Sequence, residues 1–196
     1  MGSCLAAARM ATGIVRGKQP MDGVAPDWPA EIHKRLKAMS VTRVAWVPDA
    51  GHARLIDHCR ADPAMTAITL TTEEEGVALL AGSWLGGDRG VLLMQSSGVG
   101  NCVNMFALAA TCRLPLLMLV TMRGEWGETN PWQLPMGSIV PETIRLAGGV
   151  VVRADHPGEV GEAVTAGART AFNSAATVAV LISQRVLGSK TFTEAD

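Results

Sequence analysis

Short apolar segments alternate with segments of helical pattern along this chain, and this alternation constrains the fold more than any other feature. Six apolar segments are predicted as strands: 41–47, 65–70, 91–94, 114–122, 150–153 and 177–183. Segments predicted as helices lie between them: 28–39, 53–60, 73–85, a helix through Ala110, one starting at Pro141, and 157–172. A longer loop is predicted at 123–140. Apolar strands that alternate with helices are typical of a parallel sheet covered on both faces. We therefore expect an α/β fold with three layers, α/β/α, around a six-stranded, mostly parallel sheet.

The chain has 196 residues, which suits one domain with a substantial core. We expect that domain to span residues 26–196 and residues 1–25 to form an extended or disordered N-terminal tail. Hydrophobic residues make up 48% of the chain and charged residues only 18%. This composition indicates a globular protein that buries part of its surface against partner subunits.

Charge and cysteine content exclude several classes of function. The formal net charge of −1 provides no basic surface for nucleic acid or an anionic membrane. No apolar run is long enough to cross a bilayer, and no secretory signal is evident. The cysteines, Cys4, Cys59, Cys102 and Cys112, have neither C-x-x-C nor zinc-site spacing, so we expect reduced thiols in a cytoplasmic protein.

Polar clusters follow four of the predicted strands, and right-handed crossovers would bring the strand ends to one edge of the sheet. The clusters are 49–52, 71–75, 95–101 and 123–128. Open α/β sheets bind ligands outside the carboxyl ends of their strands. The sequence therefore predicts a functional site at this edge.

Three consecutive carboxylates, Glu73, Glu74 and Glu75, stand where a strand gives way to an apolar helix. A helix N-terminus favours acids, and Thr72 and Glu75 have the spacing of a capping box. That motif explains only one of the three. The cluster therefore predicts a functional carboxylate at this junction.

Three other motifs leave alternatives open. Gly98-x-Gly100-Asn101 resembles a phosphate cradle but lacks the third glycine of the dinucleotide fingerprint, so a tight turn that brings backbone close to a neighbour or ligand is favoured. His52 either transfers a proton near neutral pH or is a solvated loop residue. Arg123 either binds an anionic substrate or pairs with Glu125 or Glu128.

Together these motifs resemble the pyrimidine-binding domain of thiamine diphosphate enzymes, in which a Glu lies nine residues before a glycine, as Glu73 and Gly82 do. The resemblance is strongest to sulfopyruvate decarboxylase α-subunits and phosphonopyruvate decarboxylases. It rests on stretches that run from about Val41 to Val186: E-E-E-G-V from Glu73, A-G at 81–82, M-Q-x-S-G-x-G-N at 94–101, R-G-E at 123–125 and Q-L-P-M-G at 133–137. The first loop departs from it, since Ala50-Gly51-His52 stands where relatives often carry Ser after Pro-Asp.

The resemblance implies roles for particular residues. Glu73 would be catalytic, because a carboxylic acid at N1′ of the aminopyrimidine promotes loss of the thiazolium C2 proton. Thiamine diphosphate would be bound by Glu73, Gln95, Ser97, Gly98, Gly100 and Asn101. His52 and Arg123 would contact the substrate.

The resemblance also implies a partner, because the chain ends before any Gly-Asp-Gly segment of the kind that binds Mg²⁺ and diphosphate in this family. No metal ligand is therefore expected here, and Mg²⁺ would be held by a separate β-subunit in an α/β hetero-oligomer. The expected activity is decarboxylation of 3-sulfopyruvate to sulfoacetaldehyde and CO₂. Phosphonopyruvate or another 2-oxo acid is the alternative substrate, and a non-catalytic cofactor-binding regulatory module is the alternative of another class.

Overall fold

The computed structural model describes residues 26–188, so Cys4 and the predicted tail at 1–25 lie outside the described residues. The strands are β1 Val41–Trp46, β2 Thr66–Thr69, β3 Arg89–Gln95, β4 Leu116–Thr121, β5 Val150–Ala154 and β6 Thr177–Ile182. The helices are α1 Trp28–Ala38, α2 Ala53–Ala61, α3 Glu73–Leu85, α4 Val99–Thr111, α5 Gln133–Leu146, α6 Val160–Ser174 and α7 Gln184–Leu187. Short 3₁₀ turns at Ser96–Gly98 and Pro157–Glu159 precede α4 and α6.

The six strands form one sheet in the order β2-β1-β3-β4-β6-β5, and every neighbouring pair is parallel. The expected α/β fold is confirmed. Because β2 lies on one side of β1 and β3 on the other, the strand order reverses between β1 and β3. Such a switch point opens a crevice at the carboxyl ends of the two strands.

Two apolar cores cover the two faces of the sheet. On one face, Leu93, Leu119 and Val180 pack against α1, α2 and α6. On the other, Met94 and Val120 pack against α3, α4 and α5. Successive strand residues alternate between these cores, as the pleat of a strand requires.

The start of α5 differs from the sequence-based prediction. Residues 123–140 were expected to form a loop that ended in a helix at Pro141, but α5 begins at Gln133 and contains Pro141. Proline often starts a helix because its missing N–H costs nothing there, and inside a helix it removes one backbone hydrogen bond. Close packing of α5 offsets this loss: a Cβ on Gly137 would overlap the backbone of Arg123. The helix therefore lies directly against the strand-end loop.

No helix within residues 26–188 is long and apolar enough to cross a membrane.

Candidate active site

Glu73 is the first residue of α3, and its side chain is buried rather than solvated. Only 8% of Glu73 is exposed, and its Oε2 accepts a hydrogen bond from Asn101 Nδ2 at 2.8 Å. Asn101 belongs to α4, so one side-chain contact joins the segments after β2 and β3. The predicted carboxylate is thus fixed in position by a residue that was predicted to share its site.

Gly98 makes room for this carboxylate. A Cβ built on Gly98 would overlap Glu73 Oε1 and lie within 2.6 Å of its Cγ. The backbone of Gly98 has φ −70°, which any residue can adopt, so close approach rather than backbone conformation requires glycine here. The Gly98–Asn101 segment therefore fits the interpretation as a tight turn that brings its backbone close to a neighbouring group. That group is the side chain of Glu73.

A cavity of about 580 Å³ opens beside Glu73. The predicted cofactor residues Glu73, Ser97, Gly98, Gly100 and Asn101 line one side of it. The other residues that line it, Trp132, Pro135 and Met136, are apolar and are here called the apolar wall. The sequence-based reasoning missed this wall because it placed these residues in a long loop, although the resemblance at 133–137 did single out Pro135 and Met136.

Gln95 is not among the residues that line this cavity, and it lies behind Ser97. Its Oε1 accepts a hydrogen bond from Ser97 Oγ at 3.0 Å, while its Nε2 lies 3.5 Å from Asp49 Oδ1. Asp49 follows β1 and also accepts hydrogen bonds from Thr121 Oγ1 at 2.5 Å and from the backbone N–H of Gly51 at 3.1 Å. A continuous hydrogen-bonded series therefore runs from Thr121 to the cavity at Glu73.

His52 is fully buried and immediately precedes α2. Its Nε2 lies 3.0 Å from the carbonyl oxygen of Leu119, and this contact assigns the proton to Nε2. Its Nδ1 has no hydrogen-bond partner among residues 26–188. Burial lowers the pKa of His52, which favours the neutral ring. The ring therefore packs inside the fold and is not presented to solvent.

Arg123 follows β4 and forms a two-bond ion pair with Glu128. Its Nε and Nη2 each donate to a carboxylate oxygen of Glu128 at 2.6 Å, and the Glu128 side chain is only 2% exposed. This pair lowers the pKa of Glu128 to about 2. Gln184 Nε2 and the backbone N–H of Gly124 also donate to Glu128. Of the two interpretations of Arg123, this geometry favours the pairing that orders the loop.

The other two carboxylates of the cluster are exposed, and the capping box is not formed. Thr72 makes no side-chain cap hydrogen bond, and Glu75 Oε2 accepts from the backbone N–H of Thr71 at 2.9 Å instead. The capping box expected of Thr72 and Glu75 is therefore wrong, since neither of its two reciprocal hydrogen bonds is present. Glu74 and Glu75 serve the helix start, and Glu73 alone faces the cavity.

Within residues 26–188, no group of three or more His, Cys, Asp or Glu side chains is placed to hold a metal ion. Cys102 is buried on α4, and burial together with the charges of Glu73 and Glu74 raises the pKa of its thiol to about 12. Such a thiol stays protonated and acts as an apolar packing residue.

Comparison with known proteins shows which family this chain belongs to. The family model described as "Thiamine pyrophosphate enzyme, N-terminal TPP binding domain" matches residues 30–136, more than half of the chain. The chain belongs to this family. Thiamine pyrophosphate is the same molecule as thiamine diphosphate, and the matched segment contains Glu73, Gly98 and Asn101.

Individual relatives carry the names of two decarboxylases. The sulfopyruvate decarboxylase subunit alpha of Methanothermobacter thermautotrophicus is 33% identical over 116 residues, which cover 59% of this chain and 70% of that protein. The corresponding subunit of Methanocaldococcus jannaschii is 36% identical over 107 residues, 54% of this chain and 63% of that one. The phosphonopyruvate decarboxylase of Streptomyces viridochromogenes is 37% identical over 119 residues, which cover 60% of this chain but only 30% of that protein.

A solved structure shows the same fold at low identity. The 2-oxoglutarate:ferredoxin oxidoreductase of Magnetococcus marinus superposes with a TM-score of 0.67 at 14% identity, over 80% of this chain and 28% of that one.

Proposed function

We propose that this chain is the pyrimidine-binding α-subunit of a thiamine diphosphate-dependent 2-oxo acid decarboxylase. The observation that carries the proposal is the buried carboxyl group of Glu73, which faces a cavity, is fixed by Asn101 and is accommodated by Gly98. Family membership supports the cofactor, and the names of the relatives support the reaction class.

The cavity suits the aminopyrimidine of the cofactor. Its lining combines hydrogen-bonding groups with the flat indole of Trp132 and the thioether of Met136. Small-molecule sites are lined mainly by apolar and aromatic side chains with a few placed polar groups, which this lining resembles. When bound, thiamine diphosphate would supply the electron sink that decarboxylation of a 2-oxo acid requires.

Residues of this chain would bind and orient the pyrimidine ring and would take part in one proton transfer. Glu73 would share a proton with N1′ of the pyrimidine, and Asn101 would hold the carboxyl group in place through Oε2. Gly98 and Gly100 would let the ring approach the backbone. Trp132 and Met136 would exclude water from Glu73, which strengthens its hydrogen bond to the ring.

We propose 3-sulfopyruvate as the substrate and phosphonopyruvate as the alternative, since both names occur among the relatives. In this proposal His52 plays no part in substrate binding, because its ring is buried. Arg123 orders its loop through Glu128, so its contact with the substrate's anionic group becomes a question for mutagenesis. The cytoplasmic location remains an expectation from the sequence.

The proposed partner is a β-subunit that holds the diphosphate through Mg²⁺. Two relatives are named as alpha subunits, which supports a second chain. A further support is the surface formed by α4 and α5, here called the α4–α5 face, which adjoins the Glu73 cavity at Gly100 and Asn101. Val103 and Leu146 are exposed and line the hollow between the two helices. Because α4 contains no charged residue and exposed apolar patches mark interaction sites, we propose that the β-subunit binds here.

Reconstitution tests this proposal. The chain, a candidate β-subunit with a Gly-Asp-Gly segment, and their mixture are each assayed for CO₂ release with thiamine diphosphate and Mg²⁺. Sulfopyruvate, phosphonopyruvate and pyruvate are compared as substrates. We expect turnover only in the mixture and preference for sulfopyruvate. Cofactor binding without turnover of any 2-oxo acid would instead favour a regulatory module, and full turnover by the chain alone would refute the two-subunit site.

A further inference from the structure

A second carboxylate lies near the cavity, at the switch point of the sheet. Asp49 follows β1 and Gln95 ends β3, the two strands between which the strand order reverses. Asp49 forms no ion pair with any cation within residues 26–188, and its hydrogen-bond donors are neutral groups of Thr121, Gly51 and Gln95. The guanidinium of Arg123 and the ring of His52 lie close enough to interact with it electrostatically. Gly51 is needed for this arrangement, since a Cβ there would lie 2.8 Å from Thr121 Cγ2 and 3.0 Å from Asp49 Oδ2.

The hydrogen bonds of Gln95 show what Asp49 does. The side-chain amide of Gln95 can be turned either way, and the hydroxyl of Ser97 cannot select an orientation because it both donates and accepts. Asp49 does select one, because an ionised carboxylate only accepts. With Nε2 directed toward Asp49, Oε1 of Gln95 must face Ser97, and the Ser97 proton is used in that bond.

We propose that Asp49 is a positioning residue that acts through Gln95 to make Ser97 Oγ a hydrogen-bond acceptor toward the Glu73 cavity. Ser97 lines the cavity, and its Oγ retains lone pairs once its proton is donated to Gln95. Ser97 therefore presents an acceptor to the cavity next to the carboxyl group of Glu73, which would share a proton with the ligand. This acceptor favours a ligand that brings an N–H donor, such as an amino-substituted heterocycle. This inference rests on the proposed function.

Two substitutions of Asp49 separate its orienting role from its charge. Asp49→Asn keeps an acceptor toward Gly51 and Gln95, and its new N–H₂ group can donate to Thr121, whose hydroxyl can turn to the carbonyl oxygen of Met94, 3.4 Å away. Asp49→Ala removes the acceptor and frees the Gln95 amide to turn. Once it turns, Ser97 accepts from Gln95 and directs its proton into the cavity.

The test is a double-mutant cycle on the assembled α/β complex. The dissociation constant of thiamine diphosphate with Mg²⁺ is measured by calorimetry for the wild type, Asp49→Ala, Asp49→Asn, Ser97→Ala and the Asp49→Ala/Ser97→Ala pair. Thermal midpoints are recorded for each to confirm folding. We expect each alanine variant to bind about three- to tenfold more weakly, as loss of a neutral hydrogen bond implies. The double variant should bind no more weakly than Ser97→Ala, and Asp49→Asn should stay within about twofold of wild type.

The other possible outcomes would each contradict either the positioning role of Asp49 or the proposed function. Losses that multiply in the double variant would show that Asp49 and Ser97 act independently and would overturn the positioning role. If Asp49→Asn bound the cofactor as weakly as Asp49→Ala, the loss would be due to the charge of Asp49, which would also overturn the positioning role. Wild-type affinity of Asp49→Ala for the cofactor would likewise overturn the positioning role. Failure of the wild-type complex to bind the cofactor would instead refute the proposed function, and this inference with it.

Discussion

At the scale of single residues, the site depends on how closely Gly98 approaches Glu73. A methyl group at position 98 would occupy the space of the Glu73 carboxyl group, which must then leave its place beside Asn101. The rest of α4 need not move, because Gly98 already has helical dihedral angles.

Gly98→Ala should therefore weaken thiamine diphosphate binding by the α/β complex about tenfold or more, since displacement of Glu73 removes a charged hydrogen bond. Calorimetry of the complex measures this loss. Gly158→Ala is the matched control, because nothing lies within 4 Å of a Cβ there. Unchanged affinity in Gly98→Ala would show that the position of Glu73 is not critical for the cofactor.

The sequence predicted some of these residues and misassigned others for physical reasons. Glu73, Gly98 and Asn101 could be predicted to meet because parallel strands bring their carboxyl ends to one edge. His52 was expected either to contact the substrate or to be a solvated loop residue, but its ring is buried and its Nε2–H donates to the carbonyl oxygen of Leu119. That long-range contact leaves no local signal in the sequence.

At the scale of elements, the loop after β4 is held by the Arg123–Glu128 pair and by Gln184, the first residue of α7. Gln184 also accepts hydrogen bonds from the backbone N–H groups of Glu125 and Trp126. Prolines at 135 and 141 obscured the helix that follows this loop, so the apolar wall of the cavity could not be predicted from the local sequence. The burial of Glu128 was equally difficult to predict, because it depends in part on Gln184, which lies 56 residues away along the chain.

The low pKa of Glu128 makes the stability of the fold pH-dependent. The folded-state pKa, about 2, lies below the ordinary value of 4.5, so the pair stabilises the fold fully above pH 4.5 and progressively less as the pH falls toward 2. The contribution that is lost amounts to about 3 kcal/mol. Urea unfolding of the chain at pH 7 and pH 3 measures it.

Glu128→Gln should unfold more easily at pH 7, by about 3 kcal/mol, and should show a smaller difference between pH 7 and pH 3 than the wild type. Glu142→Gln is the control, since its pair with Arg145 is well exposed and contributes little. If the free energy of unfolding of Glu128→Gln changed with pH as much as that of the wild type, Glu128 would not be the source of the pH dependence.

Substitution of Arg123 distinguishes loop ordering from substrate recognition. If the Arg123–Glu128 pair orders the loop, as its geometry favours, Arg123→Ala should lower kcat/KM for sulfopyruvate and pyruvate by similar factors. Steady-state assays of the α/β complex with both substrates measure the two losses. A loss about tenfold larger for sulfopyruvate would restore Arg123 as the residue that binds the anionic group.

At the scale of the whole molecule, the two faces of the sheet differ in how they meet solvent. The α4–α5 face exposes large apolar side chains next to the cavity, and Leu146 is 89% exposed. Burial of such side chains against a partner is favourable, and a charge placed among them opposes it.

Leu146→Glu should therefore weaken association with the β-subunit about tenfold or more, while the thermal midpoint of the isolated chain stays within a few degrees of wild type. Sedimentation of the mixed subunits measures the affinity. Ala166→Glu, an exposed position of α6 in the opposite layer, is the matched control. If the wild type, Leu146→Glu and Ala166→Glu all bound the β-subunit with equal affinity, the β-subunit would bind at another surface of the chain.

The central claim is that Glu73 exchanges a proton with the pyrimidine of thiamine diphosphate and thereby activates C2 of the cofactor. The most direct measurement is the rate at which the C2 hydrogen of the cofactor exchanges for deuterium at saturating concentration in the α/β complex. Glu73→Gln keeps the acceptor for Asn101 but cannot carry the proton, so the exchange rate should fall about 10²–10⁴-fold. Glu75→Gln, whose side chain only accepts from the backbone of Thr71, should exchange at the wild-type rate. Wild-type exchange in Glu73→Gln would contradict the account.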